Sequence, residues 1–309
     1  MDVAAVFGAL CGLPLIAHHL HRAARRTLAA GDMARMAALV YLHDLGKLEP
    51  GFQAKARPDL ACPADVNHSV HGVLSLRRAY QTSADPLRPV TDRIGSWGEG
   101  ADELMMAIFA HHGRPIDAPA TFNKISTVEG YDRDGAVADY LRLWTTAWVD
   151  LEAELPLPTA PELAHLVAGL AALADWIGSD RRFFDFVADP GPDYPAQARQ
   201  AARNALRTIG FDAGAARPAT DFASVAGAGF APRAAQRLVG GAGLNSALVL
   251  LEAETGSGKT EAALWRYALL HAAGLVSGLY FAVPTRAAAR QLHRRVNEAM
   301  KRLFGRNAP

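Results

Sequence analysis

His43, Asp44 and Lys47 combine the side-chain types that serve metal and phosphate chemistry. They lie at the end of an apolar helical run, which Gly46 is expected to stop. An imidazole beside a carboxylate suits a borderline transition metal better than it suits calcium or magnesium. The lysine that follows offers a positive charge to an approaching phosphate. The stretch Tyr41–Lys47 therefore predicts the centre of a metal-dependent phosphodiesterase site.

Further candidate ligands lie along the first 180 residues, on five separate predicted helices or helix ends. The full set is His18, His43, Asp44, His68, His111, His112 and Asp175. No local zinc-finger spacing explains them, whereas a helical bundle can direct them into one interior. Two metal ions about 3.5–4 Å apart can activate a water and stabilise the leaving oxygen of a phosphodiester. The set therefore predicts a two-metal hydrolytic centre.

Each ligand taken alone has an ordinary structural explanation. His18 competes with His19 and His21 for the role of first ligand. His111-His112 also fits the favourable placement of histidines at a helix C-terminus. Asp175 also fits an ion pair with an arginine such as Arg181. The combination of all these positions favours the metal centre.

The elements that must position these residues are predicted to be helices. Asp32 is expected to N-cap a helix over Met33–Leu45, which places His43 on its core side. His68 begins another helix, and Ala101–His112 ends at a Gly-Arg-Pro stop. No convincing strand precedes residue 210, so residues 1–210 are predicted to form an all-α domain. The polar stretch 115–135 contains Asn123-Lys124, a further predicted contact.

A different pattern follows a predicted linker at residues 211–229, and residues 230–309 form the second predicted domain. Ala247–Leu251 and Val276–Val283 read as strands, each followed by a helix, which predicts a parallel sheet. The loop between the first strand and its helix fits a phosphate cradle that binds ATP and magnesium. Its candidate ATP-binding residues are Thr255, Gly256, Ser257, Gly258, Lys259 and Thr260.

Composition limits the classes of protein to which this chain can belong. The net charge is +1, so a nucleic-acid surface must be local. Two cysteines without a CxxC pair fit a reducing, cytoplasmic setting. No apolar run reaches the roughly 20 residues that cross a bilayer. We read Val3–Ala17 as a buried helix and expect no membrane partner.

The order of these motifs resembles the HD phosphohydrolase superfamily. Four motifs are similar to motifs in the nuclease domain of type I CRISPR-associated nuclease-helicases. They are His43-Asp44-Leu45-Gly46-Lys47, Asn67-His68-Ser69, His111-His112-Gly113 and Asp175-Trp176-Ile177-Gly178-Ser179. The resemblance implies one ion on His18, His43, Asp44 and Asp175. It implies a second ion on His68, His111 and His112, with Asp44 bridging the two. It also implies phosphate contacts from Lys47 and Ser179. The family often has aspartate where this chain has His21.

The second part resembles superfamily 2 helicases, so its sheet is expected to be RecA-like. Gln236 resembles the adenine-recognising glutamine, and Thr285-Arg286 resembles the motif that grips the DNA backbone. Since no Asp-Glu-x-x motif precedes Pro309, we expect the amino-terminal piece of a larger protein with an incomplete motor.

The resemblance implies a single-stranded DNA nuclease fed by a helicase and recruited to a guide-RNA surveillance complex. Its two divalent ions would be Mn, Fe, Co, Ni or Zn. Two alternatives stay open. One is an HD phosphohydrolase acting on nucleotides, and the other is a non-catalytic module that binds nucleic acid or a partner.

Overall fold

The computed structural model describes residues 1–62, 67–116, 128–148, 151, 155–211, 220–276 and 278–305. The chain divides into two compact units, residues 1–209 and 210–309. The predicted Asn123-Lys124 contact and residues 212–219 of the predicted linker lie outside the described residues.

The regular elements in the described part of the first unit are helices, as the sequence predicts, apart from an isolated β-bridge between Val128 and Tyr131. Its helices are α1 (Asp2–Cys11), α2 (Pro14–Ala23), α3 (Ala30–Tyr41), a 3-10 helix (Leu42–Leu48), α4 (Pro50–Gln53), α5 (His68–Gln81), α6 (Arg88–Gly95), α7 (Glu99–Phe109), α8 (Arg133–Trp148), α9 (Pro161–Gly178) and α10 (Tyr194–Thr208).

The core of the first unit forms around α1, which packs against α3, α9 and α10. Phe7 and Leu10 of α1 are fully buried, as are Leu39 of α3 and Leu104 of α7. Burying one such side chain contributes about 1.5–3 kcal/mol. The packing fixes α3, α7 and α9 relative to one another, and these three helices lead into or contain the predicted ligands.

Helix α3 begins and ends earlier than the predicted Met33–Leu45. It starts at Ala30, and Asp32 acts from inside the first turn, where its carboxylate accepts the Ala29 backbone N–H at 2.9 Å. Arg26 and Arg35 bind the same carboxylate. After Tyr41 the backbone tightens into the 3-10 helix, so His43 and Asp44 lie on a narrower turn than an α-helix would give.

The predicted parallel sheet of the second unit is wrong for the part of the chain that the structure describes. Helices α11 (Phe222–Ala226), α12 (Ala234–Gly241), α13 (Lys259–Ala272) and α14 (Arg286–Phe304) are present, but the described residues of the two predicted segments form no strand. A strand needs a hydrogen-bonded neighbour and a covered face. Leu248 and Tyr280 are instead 86% and 89% exposed.

The second unit therefore has a small helical core. Leu264 and Tyr267 of α13 pack with Leu303 and Phe304 of α14, and Val225 of α11 joins them. Among the described residues, no single helix is long and apolar enough to cross a membrane. Only the pair α1 and α2 reaches that length and composition together, and its two helices meet at a bend of 85°.

Candidate metal centre

Six of the seven predicted ligands lie together in the first unit. The 3-10 helix carries His43 and Asp44, and α5 begins with His68. The turn after α7 carries His111 and His112, and α9 carries Asp175. Their ligand atoms form two overlapping groups, in each of which all atoms lie within 4.8 Å of one another. One group is His68, His111 and His112, and the other is His43, Asp44 and His111.

Asp44 lies between the two groups. Its Oδ2 atom is 3.1 Å from Nε2 of His43, and its Oδ1 atom is 3.5 Å from Nε2 of His68. Nε2 of His43 also lies 3.5 Å from Oδ1 of Asp175. On the other side, the Nε2 atoms of His68 and His112 are 3.0 Å apart. The two carboxylate oxygens of Asp44 thus face different imidazoles.

Two histidine rings are oriented by backbone carbonyls. Nδ1 of His43 donates to the Val40 carbonyl at 2.8 Å, and Nδ1 of His111 donates to the Ile108 carbonyl at 2.9 Å. A proton on Nδ1 leaves the Nε2 lone pair of a neutral ring free for a metal. Both orienting bonds come from the helical turn just before the histidine, so local backbone geometry sets the ligand atom.

The residues present fit a divalent transition metal. Among the described atoms, the buried Nε2 of His43 and the buried Oδ1 of Asp44 make only the ion-pair contacts at 3.1–3.5 Å given above and no well-aligned hydrogen bond. Leaving such atoms without a good hydrogen bond costs free energy, and a cation would satisfy both. Imidazole nitrogens with carboxylate oxygens are the donors that manganese, iron, cobalt, nickel and zinc accept.

The charges in the cluster are strongly coupled. Burial disfavours a proton on His43, but Asp175 and Asp44 outweigh that effect and raise its pKa to about 9. The pKa of Asp44 is lowered, because the positive charges of His43 and Lys47 outweigh its burial. Burial, with the nearby charge of His43, lowers the pKa of His111 to about 4. In the absence of a metal, the pKa of about 9 favours the protonated form of His43 at neutral pH.

His18 lies on α2 and is exposed, and the ring contact it makes is with His19. None of the contacts among described residues joins His18 to the other six ligands. Nδ1 of His21 accepts the Leu28 backbone N–H at 3.0 Å, which fixes that ring to its own loop. His18 therefore stays a prediction, and His21 has a structural role instead.

The two predicted phosphate contacts bind metal-centre carboxylates. Nζ of Lys47 donates to Oδ2 of Asp44 at 2.6 Å, and Oγ of Ser179 donates to Oδ1 of Asp175 at 3.1 Å. Lys47 keeps 42% of its side chain exposed, so its amine borders both solvent and the cluster. Sequence reasoning gave Phe52 no role, yet its ring packs edge-on against His68.

In the second unit, the predicted ATP-binding loop leads directly into α13. Gly256 and Gly258 have φ of 81° and 88°, which glycine adopts without strain, and α13 begins at Lys259-Thr260. Nζ of Lys259 donates to the Ala253 and Glu254 carbonyls at 2.5 and 2.9 Å. Gln236 reaches the same loop, because its Nε2 donates to the Gly258 carbonyl at 3.0 Å. Thr255 and Ser257 lie in the loop itself.

Thr285 and Arg286, the predicted DNA contacts, lie at the start of α14. Oγ1 of Thr285 accepts the Ala288 backbone N–H at 3.2 Å and so caps the helix. Arg286 is the first residue of α14 and is exposed. Within unit two, Arg295 of α14 forms an ion pair with Glu261 of α13.

Comparison with known families gives a match over most of the first unit. The family model described as "Cas3, HD domain" matches residues 1–184, which include every predicted metal ligand. The chain belongs to the Cas3 HD-domain family.

Cas3 relatives extend this similarity into the second unit. The CRISPR-associated endonuclease/helicase Cas3 of Thermus thermophilus is 34% identical over 296 residues, which are 88% of this chain and 30% of that relative. Its Escherichia coli counterpart is 31% identical over 300 residues, or 86% of this chain and 33% of the relative. A crystal structure of T. fusca Cas3-AMPPNP matches 98% of this chain and 35% of its own, with 21% identity and a TM-score of 0.67. The chain spans about a third of the length of the curated relatives it matches.

Metal binding by this centre is expected to release a proton near neutral pH. His43 holds a proton at pH 7 because its pKa is about 9, and it must lose that proton before Nε2 binds a cation. Metal affinity should therefore rise by about tenfold per pH unit from pH 7 to 9. Calorimetric titration with manganese in buffers of different ionisation enthalpy measures the proton count.

The His165→Gln variant is the matched control, because His165 is an exposed histidine of α9 outside the cluster. It should leave the proton release unchanged. Equal binding heats in all buffers, together with an affinity independent of pH, would contradict the protonation of His43.

Proposed function

We propose that this chain is the nuclease part of a CRISPR-associated nuclease-helicase and that it hydrolyses phosphodiesters of single-stranded DNA with two divalent transition-metal ions. The observation that carries the proposal is the pair of overlapping ligand groups, with buried atoms of His43 and Asp44 that make no well-aligned hydrogen bond among the described residues. Family membership supports the same reaction class.

Each part of the cluster has a role in this proposal. His68, His111 and His112 would hold one ion, while His43, Asp44 and Asp175 would hold the other, with His18 as the remaining predicted ligand. Asp44 would bridge, since its two oxygens face the two groups. Bound ions would lower the pKa of a water molecule, which could then attack as hydroxide, and would neutralise charge on the phosphodiester. Lys47 would turn from Asp44 to the scissile phosphate, and Ser179 would turn from Asp175 to make a weaker contact with the same phosphate.

The second unit is proposed to be the start of an ATP-driven helicase that delivers the strand. The glycine loop before α13, with Gln236 held against it, supports ATP and magnesium binding. In this proposal residues 1–210 are the nuclease domain, 230–309 are the motor fragment, and 211–229 are the linker, whose helix α11 packs with the core of the second unit. Thr285 and Arg286 would contact the DNA backbone. The whole protein would act in the cytoplasm on DNA opened by a guide-RNA surveillance complex.

The proposal is tested by incubating the chain with end-labelled single-stranded DNA and each of Mn, Fe, Co, Ni and Zn. We expect cleavage with at least one ion, loss of cleavage with EDTA, and slower cleavage of the matching duplex. Mononucleotides and cyclic nucleotides are assayed in parallel. Faster hydrolysis of these small substrates would support a nucleotide phosphohydrolase, and DNA binding without cleavage would support a binding module.

A further inference from the structure

A buried polar cluster begins immediately after Lys47. Glu49 is 3% exposed, and its Oε1 accepts from Oγ of Ser75 at 2.6 Å and from Nε of Arg133 at 3.2 Å. Nη1 of Arg133 lies 3.5 Å from Oδ2 of Asp85, which Nε of Arg78 also approaches at 3.2 Å. We call Glu49, Ser75, Arg78, Asp85 and Arg133 the Glu49 network.

The network joins four segments, which are the end of the 3-10 helix, α5, the turn that contains Asp85, and α8. Glu49 follows the 3-10 helix that carries Asp44 and Lys47. Ser75 and Arg78 belong to α5, the helix that begins with His68. Arg133 is the first residue of α8. The network therefore ties the end of the lysine-bearing segment to the helix that carries a predicted ligand.

The charges of the network are balanced, and all are buried except Arg78, whose side chain is 28% exposed. Glu49 and Asp85 supply two carboxylates, while Arg78 and Arg133 supply two guanidinium groups. Buried ion pairs are weak evidence for stability, because apolar residues of similar volume often stabilise a fold as well or better. Such pairs do restrict the positions of the segments that carry them when each charged group can reach its partners in only one arrangement. A geometric role is the better explanation at a position two residues from Lys47.

Neighbouring contacts hold the backbone of the same segment. The hydroxyl of Tyr131 donates to the Leu48 carbonyl at 2.7 Å, and Nε2 of Gln53 donates to the Lys47 carbonyl at 2.7 Å. Residues 47, 48 and 49 are therefore each anchored, whereas the Lys47 amine extends toward Asp44. A fixed backbone limits where that amine can lie relative to the metal centre.

We propose that Glu49 and Arg133 are positioning residues that place the Lys47 amine for contact with the scissile phosphate. The inference rests on the proposed nuclease function. Neither residue touches the predicted ligands, and both act through the backbone of residues 47–49. A misplacement of about 1 Å in such a group can lower a rate by as much as about a hundredfold.

The test is a double-mutant cycle with Glu49→Gln and Lys47→Ala, measured as manganese-dependent cleavage of single-stranded DNA. Glutamine keeps the size and an acceptor for Ser75 but removes the charge that holds Arg133. We expect Glu49→Gln to lower kcat by roughly 10- to 100-fold, with KM and bound manganese unchanged. In the Lys47→Ala background, Glu49→Gln should have no further effect, because the group it positions is gone.

Asp134→Asn is the matched control. Asp134 also binds Arg133, at 2.9 Å, but from the solvent side, with 54% of its side chain exposed. Its removal should change kcat by less than about twofold. If Glu49→Gln does not fold, Arg133→Lys replaces it in the cycle, since lysine keeps the charge but cannot reach Glu49 and Asp85 in the same fork geometry.

The outcomes separate the inference from the proposed function. Absence of cleavage by the unaltered chain with every metal would overturn the nuclease function itself. If the unaltered chain does cleave DNA, two results would overturn only the positioning role. One is full additivity of the effects of Glu49→Gln and Lys47→Ala, and the other is loss of bound manganese in Glu49→Gln. A crystal structure of Glu49→Gln gives a readout that needs no activity. Unchanged positions of residues 47–49 would contradict the inference.

Discussion

Replacing Asp44 by alanine is expected to reduce metal-dependent DNA cleavage by roughly a thousandfold or more. Metal ions supply several kcal/mol of transition-state stabilisation, and each ~1.4 kcal/mol corresponds to a factor of ten. Asp44 faces both ligand groups, so its removal affects both ion positions rather than one. Cleavage rates on labelled single-stranded DNA measure the loss of catalysis. Plasma mass spectrometry of the bound metal measures the loss of ions.

The matched control is Asp59→Ala. Asp59 is an exposed carboxylate paired with Arg57 in the loop after α4, and it lies outside both ligand groups. Cleavage and metal content should stay within about twofold of those of the unaltered chain. Circular dichroism checks that the helices of both variants remain. Cleavage by Asp44→Ala within tenfold of the unaltered chain would show that Asp44 does not bridge two ions.

The convergence of the candidate metal ligands was largely predictable, because side-chain type limits what they can do, whereas their binding of metal stays a prediction. Histidines and aspartates in predicted helices pointed to one interior, and six of them meet there. The choice among His18, His19 and His21 was not predictable. It depends on how α2 packs against neighbouring helices such as α9, which the spacing of the histidines does not specify.

The helices of the first unit follow from periodicity and capping signals, whereas the sheet of the second unit did not form. Helical hydrogen bonds are made within one segment, so a local pattern contains most of the information. Strand hydrogen bonds are made with other segments. The apolar run at Leu248 and Leu250 fits a strand, but both side chains are exposed and neither gains a hydrogen-bonded neighbour in the described chain.

Glu49 and Gly46 show what sequence reasoning missed. A single glutamate before a proline gives no sign that it is buried, since its partners Ser75 and Arg133 lie 26 and 84 residues away. Gly46 was interpreted as a helix stop. In the structure it allows the 3-10 helix to pack directly against α5, and this contact brings Asp44 close to His68.

Replacing Gly46 by alanine is therefore expected to destabilise the first unit by about 3 kcal/mol, the upper end of the usual cost of overpacking. An added Cβ would overlap the His68 carbonyl oxygen and lie 2.7 Å from the backbone nitrogen of Gly72. Both are backbone atoms of α5, so no side-chain rotation relieves the overlap. The 3-10 helix and α5 would have to separate, which would move Asp44 away from His68.

Urea unfolding followed by circular dichroism measures the stability change, with Gly31→Ala as the matched control. Gly31 lies in α3, and an added Cβ there meets nothing within 4 Å. Its replacement should stabilise the helix by about 0.5–1 kcal/mol, because alanine loses less backbone entropy than glycine. The separation of the two helices should also weaken manganese binding in Gly46→Ala and leave it unchanged in Gly31→Ala. Equal stability of the two variants would mean that the close contact between Gly46 and α5 does not hold the metal centre together.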